Sequence, residues 1–460
     1  MSGPESKPGP LPPLKSDPAF YGLLSTQFLG AFNDNVFKQL VLFTCVMTLE
    51  AGGDDRSGFA QAVFAAPILF LSGFAGWLSD RLPKRGLIVA SKVGELLVML
   101  AGLATYLAFA GPSPSLVTTL LIVLAFMGVQ TAFFGPPKYG VLPEMFRESD
   151  LPRVTGLVQM TTFVAIVLGM LVTGVATEFL AADGGLWKVS VIAVGISVAG
   201  IATAFRLRNP PTADPNLAFE WSSLGIHRDL WPLLRTDATV RNVLIVQSFF
   251  WLIAAWVQVL STPLGMRQLG VGEALTGVLF STVAIGIAVG SLLAGRLSGG
   301  RVRFGIVRAG TWLMVAALGT LAALGETGIG GSAGAVTCAG CLFFAGVGAG
   351  MFAIPLGVLL QARPPKSLKG RMIGAMNVGN WTGIILGGLL YQAVEPLVRD
   401  TATYSRLFAP LAIALIPIAL FYRPSDVTLG RDENDEVADE PSPTREEPAA
   451  VTSPQAAGRP

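Results

Sequence analysis

The chain has 460 residues, of which 52% are hydrophobic and only 13% are charged, and its mean hydropathy is +0.60. Because a soluble domain carries about 25% charged residues, this composition excludes an ordinary large soluble protein and favours a polytopic membrane protein. The formal net charge is +2, and so small an excess gives no reason to expect a nucleic-acid partner.

The sequence offers few residues for metal or nucleophilic chemistry. It has one histidine, His227, in a polar segment, and three cysteines, Cys45, Cys338 and Cys341. Histidine metal sites and Ser-His-Asp triads need more than this, and three cysteines are too few for a disulfide framework. We therefore predict that the protein is not an enzyme and has no metal or organic cofactor.

Apolar stretches long enough to cross a membrane, which takes about 20 residues of helix, recur along the whole chain. The first six lie near 20–48, 58–79, 86–110, 114–136, 154–180 and 186–206, and the second six near 241–262, 272–296, 304–325, 331–360, 371–394 and 402–422. The sequence therefore predicts an all-α polytopic membrane protein with twelve transmembrane helices.

Polar segments divide the chain further. Residues 207–240 are the longest polar interior segment and contain several prolines, so we predict a cytoplasmic linker between an N-terminal six-helix bundle, 20–206, and a C-terminal one, 241–422. The Pro-rich residues 1–19 and the acidic, Pro-rich residues 423–460 have the composition of disordered cytoplasmic segments.

Basic residues indicate the orientation. When both termini are placed in the cytoplasm, most loop arginines and lysines fall on the inner side, and the outer loops hold only Arg56, Lys188, Arg267, Arg399 and Arg406. This asymmetry follows the positive-inside rule, and the N-terminus lacks the apolar core and cleavage site of a signal peptide. We therefore predict that both termini are cytoplasmic.

The first predicted span contains a polar run, Asn33, Asp34, Asn35 and Lys38. Asp34 lies about fourteen residues into the span, near the bilayer midplane, and Lys38 follows one turn later on the same helix face. A charge at this depth costs about 2.5–3.5 kcal/mol and normally faces a bundle interior or a watery cavity. Two interpretations stay open: the charges neutralise each other and hold the helix to its neighbours, or they line a binding or ion-coupling site.

Further charges lie in the third and fourth spans. Glu95 is about two turns into the third span, three residues after Lys92, and is equally compatible with a structural bond and with a cavity lining. The Pro136–Pro137 pair is expected to break the fourth helix. Lys138 and Tyr139 would then stand at the membrane face, either as an interfacial anchor or as a contact for lipid phosphate.

The segment after the second span reads GWLSDRLPKR, residues 76–85. Gly76 permits close helix approach, and Asp80 is positioned to meet the N-terminus of a facing helix or an arginine. A loop that is basic only for topology is the alternative. The segment resembles the signature G-x-L-A-D-R-x-G-R-K of the major facilitator superfamily, with Pro83 in place of a glycine.

This resemblance implies the major facilitator fold, in which twelve transmembrane helices form two pseudo-symmetric six-helix bundles. It also implies a cytoplasmic gate made by Gly76, Asp80, Arg81, Lys84 and Arg85. Arg371, at the start of the eleventh span, is predicted to complete the gate with Asp80, in which case reversing both charges should rescue transport. A weaker copy of the motif, GSLLAGRLSGGRVR at 290–303, keeps the glycines and arginines and lacks the aspartate. A copy at the matching place in the second half is what two parallel six-helix repeats predict.

Three stretches narrow the resemblance: QFLGAFNDNVFKQLVLF (27–43), FFGPPKYGVLPEMF (133–146) and IPLGVLLQARPPKSLKGRMIGAMNVGN (354–380). Together they are similar to the lysophospholipid transporter branch of the superfamily, which includes the transporter-like half of bacterial acyltransferase fusions. The resemblance implies a secondary-active transporter of the bacterial cytoplasmic (inner) membrane. It would move lysophospholipid, such as lysophosphatidylethanolamine, to the inner leaflet by alternating access, where a separate acyltransferase would restore the second chain.

For such a substrate, Asp34 would face the ammonium group and Lys38 the phosphate. Further candidate binding or coupling residues are Asn33, Asn35, Glu95, Lys138, Tyr139 and Asn377. A proton or sodium ion at Asp34 or Glu95 is the candidate coupling ion, and the acyl chain is expected to stay in lipid between helices. Two rival interpretations remain: an exporter or symporter of a soluble solute or drug, and a non-transporting membrane partner of an acyltransferase.

Overall fold

The computed structural model describes residues 12–50, 57–109, 111, 113–180, 185–271, 273–324, 331–399 and 403–429. The long helices of these residues are α1 (Pro18–Glu50), α2 (Ser57–Arg81), α3 (Lys84–Ala108), α4 (Pro114–Gly140), α5 (Leu151–Leu180), α6 (Trp187–Ala204), α7 (Ala238–Pro263), α8 (Glu273–Ser298), α9 (Phe304–Leu324), α10 (Gly331–Ala362), α11 (Lys369–Val394) and α12 (Ala409–Phe421). Short helices lie at Leu142–Met145, Leu230–Thr236 and Pro396–Arg399, and single turns include Trp221–Leu224, Lys366–Leu368 and Tyr404–Phe408.

The prediction of an all-α polytopic protein is confirmed. In the described part of the chain, 11 helices are long and apolar enough to cross a membrane. Helix α1 is not among them although it has 33 residues, because the polar run from Asn33 to Lys38 lowers the hydropathy of its middle. The run that makes α1 a candidate for function therefore also makes it the weakest membrane span by composition.

Helix packing shows the internal repeat directly. In the first half, α1 packs on α5, α2 on α4, and α3 on both α4 and α6. In the second half, α7 packs on α11, α8 on α10, and α9 on both α10 and α12. The second set is the first set with six added to each helix number, which is the relation expected of two parallel repeats.

The two halves meet along α2 with α11 and along α5 with α8. At the first crossing, a Cβ built on Gly76 would lie 2.7 Å from the Gly370 carbonyl oxygen and 2.9 Å from the Gly374 Cα. These contacts are with main-chain atoms, so only glycine permits the approach at this point.

The second crossing repeats this arrangement with the degenerate motif copy. A Cβ on Gly156 of α5 would lie 2.6 Å from the Ser291 carbonyl oxygen and 3.2 Å from the Gly295 Cα of α8. Gly295 of the sequence GRLSGG matches Gly76 of GWLSDR, and Gly299 matches Asp80. The copy therefore keeps the glycine that permits close packing and lacks the carboxylate.

Helix α4 continues through Pro136 and Pro137 to Gly140, so the prediction that this pair breaks the helix is wrong. Proline removes one backbone donor and crowds the preceding turn, but transmembrane helices tolerate it where neighbouring helices pack around the freed groups. The unbroken helix carries Lys138 and Tyr139 into the bundle. Lys138 is only 8% exposed, so its expected place at the membrane face is also wrong.

The segments that were predicted to be disordered are partly structured. Before α1, Leu14–Ser16 form a turn and the Asp17 carboxylate accepts a hydrogen bond from Arg208. After α12, the strand Val427–Thr428 pairs antiparallel with Arg301–Val302. The predicted disorder is therefore wrong for residues 12–19 and 423–429, and the rest of both predicted segments lies outside the described residues.

The glycine crossing generates a stability prediction. A Cβ on Gly374 would lie 2.9 Å from the Ser72 carbonyl oxygen and 3.1 Å from the Gly76 Cα, so Gly374→Ala should destabilise the protein by about 1–3 kcal/mol through overpacking. Gly388→Ala on the same helix is the matched control, since its Cβ would meet nothing within 4 Å. Thermal unfolding of the purified protein measures both, and equal melting temperatures would show that α2 and α11 can separate without cost.

Candidate functional site

The bundle is closed at the end that carries the loop between α2 and α3 and the linker 207–240; we call this the linker end. The Asp80 side chain is fully buried there. Its Oδ1 accepts the backbone N–H of Gly370 at 2.6 Å, and its Oδ2 accepts the backbone N–H of Arg371 at 2.9 Å and the Arg371 Nε–H at 3.1 Å. A carboxylate at the N-terminus of α11 is stabilised by free backbone donors and by the helix dipole.

Asp80 therefore meets both of the partners that the sequence left as alternatives, a helix N-terminus and an arginine. Arg371 also reaches the linker, where its Nη1 donates to Asp229 Oδ2 at 2.5 Å and its Nη2 lies 3.9 Å from Asp214 Oδ2. The Asp214 backbone N–H donates to the Asp80 carbonyl oxygen at 2.9 Å. The linker is thus part of the closed end.

The other motif residues make contacts within the first half. Lys84 pairs with Glu144 at 2.6 Å, Arg85 donates to the Phe205 carbonyl oxygen at 2.8 Å, and the exposed Arg81 lies 5.2 Å from the Trp77 ring. Of the predicted gate set, Gly76, Asp80 and Arg371 come together across the two halves. Arg81, Lys84 and Arg85 do not.

A cavity of about 810 Å³ lies between the two halves, which is within the usual size of a small-molecule site. Near the linker end it is bounded by Tyr139, Thr155 and Gln361, and Thr155 donates to Gln361 Oε1 at 3.3 Å across the halves. In the other direction it reaches Gln61 and Gly388, within about two turns of the helix ends. The cavity is therefore sealed at the linker end and extends toward the opposite end.

Lys38 lines this cavity from α1. Its Nζ lies 5.6 Å from the centre of the Phe64 ring, and among the described residues it forms no ion pair. The Asp34 Oδ2 instead lies 3.4 Å from the Thr131 hydroxyl, while its Oδ1 is buried without a hydrogen-bond partner among the described residues. Among the described residues, Asp34 and Lys38 therefore form no direct ion pair, although their charges are close enough to interact.

The two asparagines of the run point in different directions. Asn35 lines the cavity and donates to the Ala31 carbonyl oxygen at 2.7 Å. Asn33 faces the interior of the first half, where it donates to Glu95 Oε1 at 3.0 Å and to Ser197 at 2.8 Å. Each helical residue is rotated by about 100° from the one before it. Asn33 and Asn35 are two positions apart and therefore point to nearly opposite sides of α1, so only one of them can face the cavity.

Glu95 lies in a buried polar network and not on the cavity surface. It pairs with Lys92 at 2.6 Å, and both side chains are 1% exposed. Gln130 donates to Glu95 at 3.4 Å and accepts from Thr131 at 3.1 Å, which links the network to Asp34. A buried ion pair with several hydrogen bonds is the arrangement that makes charges tolerable in a hydrocarbon environment.

Lys138 lies behind the cavity wall. Its Nζ is 4.2 Å from the Tyr139 ring centre and 5.5 Å from the Phe134 ring centre, positions in which an aromatic face attracts a cation. The Tyr139 hydroxyl lines the cavity and donates to Gln159 Oε1 at 3.3 Å. Asn377 lines the facing wall from α11.

Sequence reasoning gave no binding role to several amide side chains that line the cavity. They come from α1, α2, α5, α7, α10 and α11: Gln39, Gln61, Gln159, Gln247, Gln258, Gln361 and Asn380. A single glutamine in an apolar span gives little signal, because it can equally face a neighbouring helix. No group of three or more histidine, cysteine, aspartate or glutamate side chains suited to a metal is present in the described residues.

Comparison with known proteins gives the family. The profile of the Major Facilitator Superfamily matches residues 23–388. The chain belongs to the Major Facilitator Superfamily. It is thereby a member of a transporter family, and the twelve-helix arrangement of two repeats described above is the fold of that superfamily.

Two relatives within the superfamily are named lysophospholipid transporter LplT. The protein from Enterobacter sp. (strain 638) is 28% identical over 407 residues, which cover 84% of this chain and 92% of that protein. The protein from Escherichia coli O1:K1 / APEC is 28% identical over 416 residues, covering 85% of this chain and 94% of the relative.

Solved structures of the superfamily show the same fold at lower identity. The human organic anion transporter MFSD10 (TETRAN) superposes with a TM-score of 0.70 at 13% identity, covering 89% of this chain and 100% of that one. The fucose:proton symporter FucP of E. coli gives a TM-score of 0.67 at 15% identity, with coverage of 88% and 98%. These likenesses show the fold alone.

The contacts of Asp80 change the expectation that reversing both charges of the Asp80–Arg371 pair would rescue the protein. Asp80→Ala should destabilise the protein by about 3–5 kcal/mol, because it removes the acceptor of three buried donors, the backbone N–H groups of Gly370 and Arg371 and the Arg371 Nε–H. The double exchange Asp80→Arg with Arg371→Asp should not restore stability, since it places a cation against the backbone donors of α11. Thermal unfolding tests both variants.

Asp214→Ala is the matched control, because its 3.9 Å contact with Arg371 is partly exposed and such pairs contribute about 0–1 kcal/mol. Full recovery in the double exchange would show that the ion pair, and not the helix N-terminus, is the main partner of Asp80.

The linker histidine generates a pH prediction. Burial lowers the pKa of His227 below 6.5; the nearby Asp229 opposes this shift and Arg371 adds to it. His227 Nδ1 accepts the Asp229 backbone N–H at 3.2 Å, a bond that protonation would remove. Because the folded pKa is depressed, this stabilisation is present above pH 6.5 or so and is lost as the pH falls through the folded pKa.

His227 is the one histidine of the chain, so its titration with pH can be followed by NMR after histidine-selective labelling. We expect the midpoint of this titration to lie below that of a free imidazole. His227→Gln should remove the corresponding part of the pH dependence of the melting temperature. A midpoint at or above the free value would contradict a linker that holds this ring in its neutral form.

Proposed function

We propose that this chain is a secondary-active transporter that moves a lysophospholipid, such as lysophosphatidylethanolamine, to the inner leaflet of the bacterial cytoplasmic membrane by alternating access. The observation that carries the proposal is the Lys38 side chain, which lines a cavity that is closed at the linker end and which forms no direct ion pair among the described residues. A cation kept at this depth at a cost of about 2.5–3.5 kcal/mol suits an anionic ligand group.

The chemistry of a one-chain phospholipid fits the α1 wall. Lys38 would receive the phosphate, with Tyr139 as a second polar group of the cavity wall and Lys138 behind that wall. Asp34 is not among the residues that line the cavity, but its Oδ1 has no hydrogen-bond partner among the described residues and would accept from the ammonium. Asn35 and Asn377 would supply amide contacts on opposite walls. The names of the two relatives support this substrate. A proton or sodium ion at Asp34 is the candidate for coupling.

The proposal includes a direction and a setting. We place both termini and the linker end in the cytoplasm, on the basis of the basic residues of that end. The closed Asp80–Arg371 contact would then be the cytoplasmic gate, and the described conformation would be the one that receives substrate from the outer leaflet. A separate acyltransferase on the cytoplasmic side would consume the product.

The experiment is leaflet-resolved movement of labelled lysophosphatidylethanolamine in vesicles that contain the purified protein. Lys38→Gln and Asp34→Asn should each lower the initial rate at least about tenfold, since a hydrogen bond to a charged group contributes about 1.5–3 kcal/mol and each 1.4 kcal/mol is a factor of ten. Lys188→Gln, at an exposed lysine of α6, is the control and should move lipid at the wild-type rate.

Each rival function has its own outcome in this assay. Movement of cationic dyes or soluble anions with no movement of lipid would show that the protein transports a different substrate. Acyltransferase binding that survives Asp34→Ala, with no transport of any kind, would favour a non-transporting partner. Unchanged lipid movement in both charge variants would show that Lys38 and Asp34 take no part in transport.

A further inference from the structure

A second, smaller cavity branches from the central one into the second half of the bundle. Its volume is about 160 Å³, and it is lined by side chains of α5 and of α7 to α11. The two spaces adjoin each other, because several residues line both: Gln159, Phe163, Trp251, Gln258, Ala284 and Ile384. We call the smaller space the side cavity.

Past its mouth, the side cavity is apolar. Phe250, Ile253, Ile287, Met314 and Leu318 form its walls, and none of the described side chains that line it carries a charge. Apolar cavities of this kind hold water poorly and accept hydrocarbon ligands. The chemistry of the space therefore points to a hydrocarbon occupant.

Small residues of α10 leave the space that forms the side cavity. Ala345, Ala349 and Ala353 line the side cavity at intervals of four residues, so they share one face of the helix. The neighbouring Gly346 and Gly350 instead lie against the backbone of α8, where an added Cβ would approach Val283 and Ile287 carbonyl oxygens to 2.3 and 2.5 Å. Helix α10 thus uses one face for tight packing and an adjacent face to leave space.

The position of the side cavity relative to the charged wall completes the argument. Lys38 and Asn35 line the central cavity from α1, in the first half, whereas the side cavity penetrates the second half. The glutamines at its mouth, Gln159 and Gln258, mark the change from polar to apolar lining. An amphiphile whose headgroup lies at α1 would find its apolar complement across the central cavity.

We propose that the side cavity binds the end of the substrate's acyl chain and sets which chain lengths are transported. This inference rests on the proposed function, since it takes the substrate to be a one-chain phospholipid. It departs from the expectation that the chain stays in lipid between helices. Each methylene enclosed would strengthen binding about fourfold, so the depth of the side cavity would discriminate between chains.

The test compares lysophosphatidylethanolamines with short, medium and long saturated chains in the leaflet-resolved assay. Ala349→Leu fills the side cavity and should lower the ratio of long-chain to short-chain rates by about tenfold or more, as expected when two or more methylenes lose their place. Met314→Ala enlarges the same space and should shift the ratio toward longer chains. Two opposite shifts cannot come from general loss of stability.

Ala316→Leu is the matched control. Ala316 belongs to α9, which also lines the side cavity, but it lies on the exposed face of that helix. Its chain-length ratio should equal that of the wild type. If Ala349→Leu does not fold, Ala345→Leu fills the space from the same helix face and, with Met314→Ala, gives the same comparison.

A photoreactive group at the end of the acyl chain gives an independent readout. It should label peptides of α8 and α10 that contain Ile287 and Ala349, and Ala349→Leu should lower that labelling. Labelling of lipid-exposed residues alone, or an unchanged chain-length ratio in all variants, would overturn the side-cavity proposal while lipid transport itself stands. Absence of lysophospholipid movement in the wild type would instead overturn the proposed function, and this inference with it.

Discussion

The contact of Asp80 with the N-terminus of α11 is the constraint on which the rest of the arrangement depends. A fully buried carboxylate is stable only if its oxygens are satisfied, and Gly370 and Arg371 satisfy them from a helix that belongs to the other half. Glycine crossings at α2 with α11 and at α5 with α8 let the halves come close enough for this. Because these contacts seal the linker end, the central cavity extends toward the other.

The charges of the first half serve two different purposes. Lys92 and Glu95 neutralise each other in a closed network with Asn33 and Ser197, which holds α1, α3 and α6 together. Among the residues that the structure describes, Lys38 forms no such ion pair, and it lines the cavity. Since an unpaired charge in a membrane is costly, this difference separates a structural ion pair from a candidate binding group.

The two repeats have diverged in a way that suits an amphiphile. The first half supplies Lys38 and the motif aspartate, while most of the residues that line the apolar side cavity belong to the second half. At the equivalent motif position, Gly299 stands where the first repeat has Asp80. The same helix arrangement thus places a lysine on one side of the central cavity and an apolar side cavity on the other.

The sequence by itself determined the helical membrane class, the places of the spans and the polar run of α1, because hydropathy is a local property of the chain. The pairing of Asp80 with Arg371 was predicted from the resemblance to the family motif. Only the tertiary structure decided that Asn35 faces the cavity while Asn33 does not, that Glu95 pairs with Lys92, and that α4 runs through two prolines to bury Lys138. It also decided that the linker joins the closed end. These outcomes depend on which helix packs against which face, and such contacts join residues far apart in the chain, such as Asn33 and Ser197, which no local sequence pattern relates.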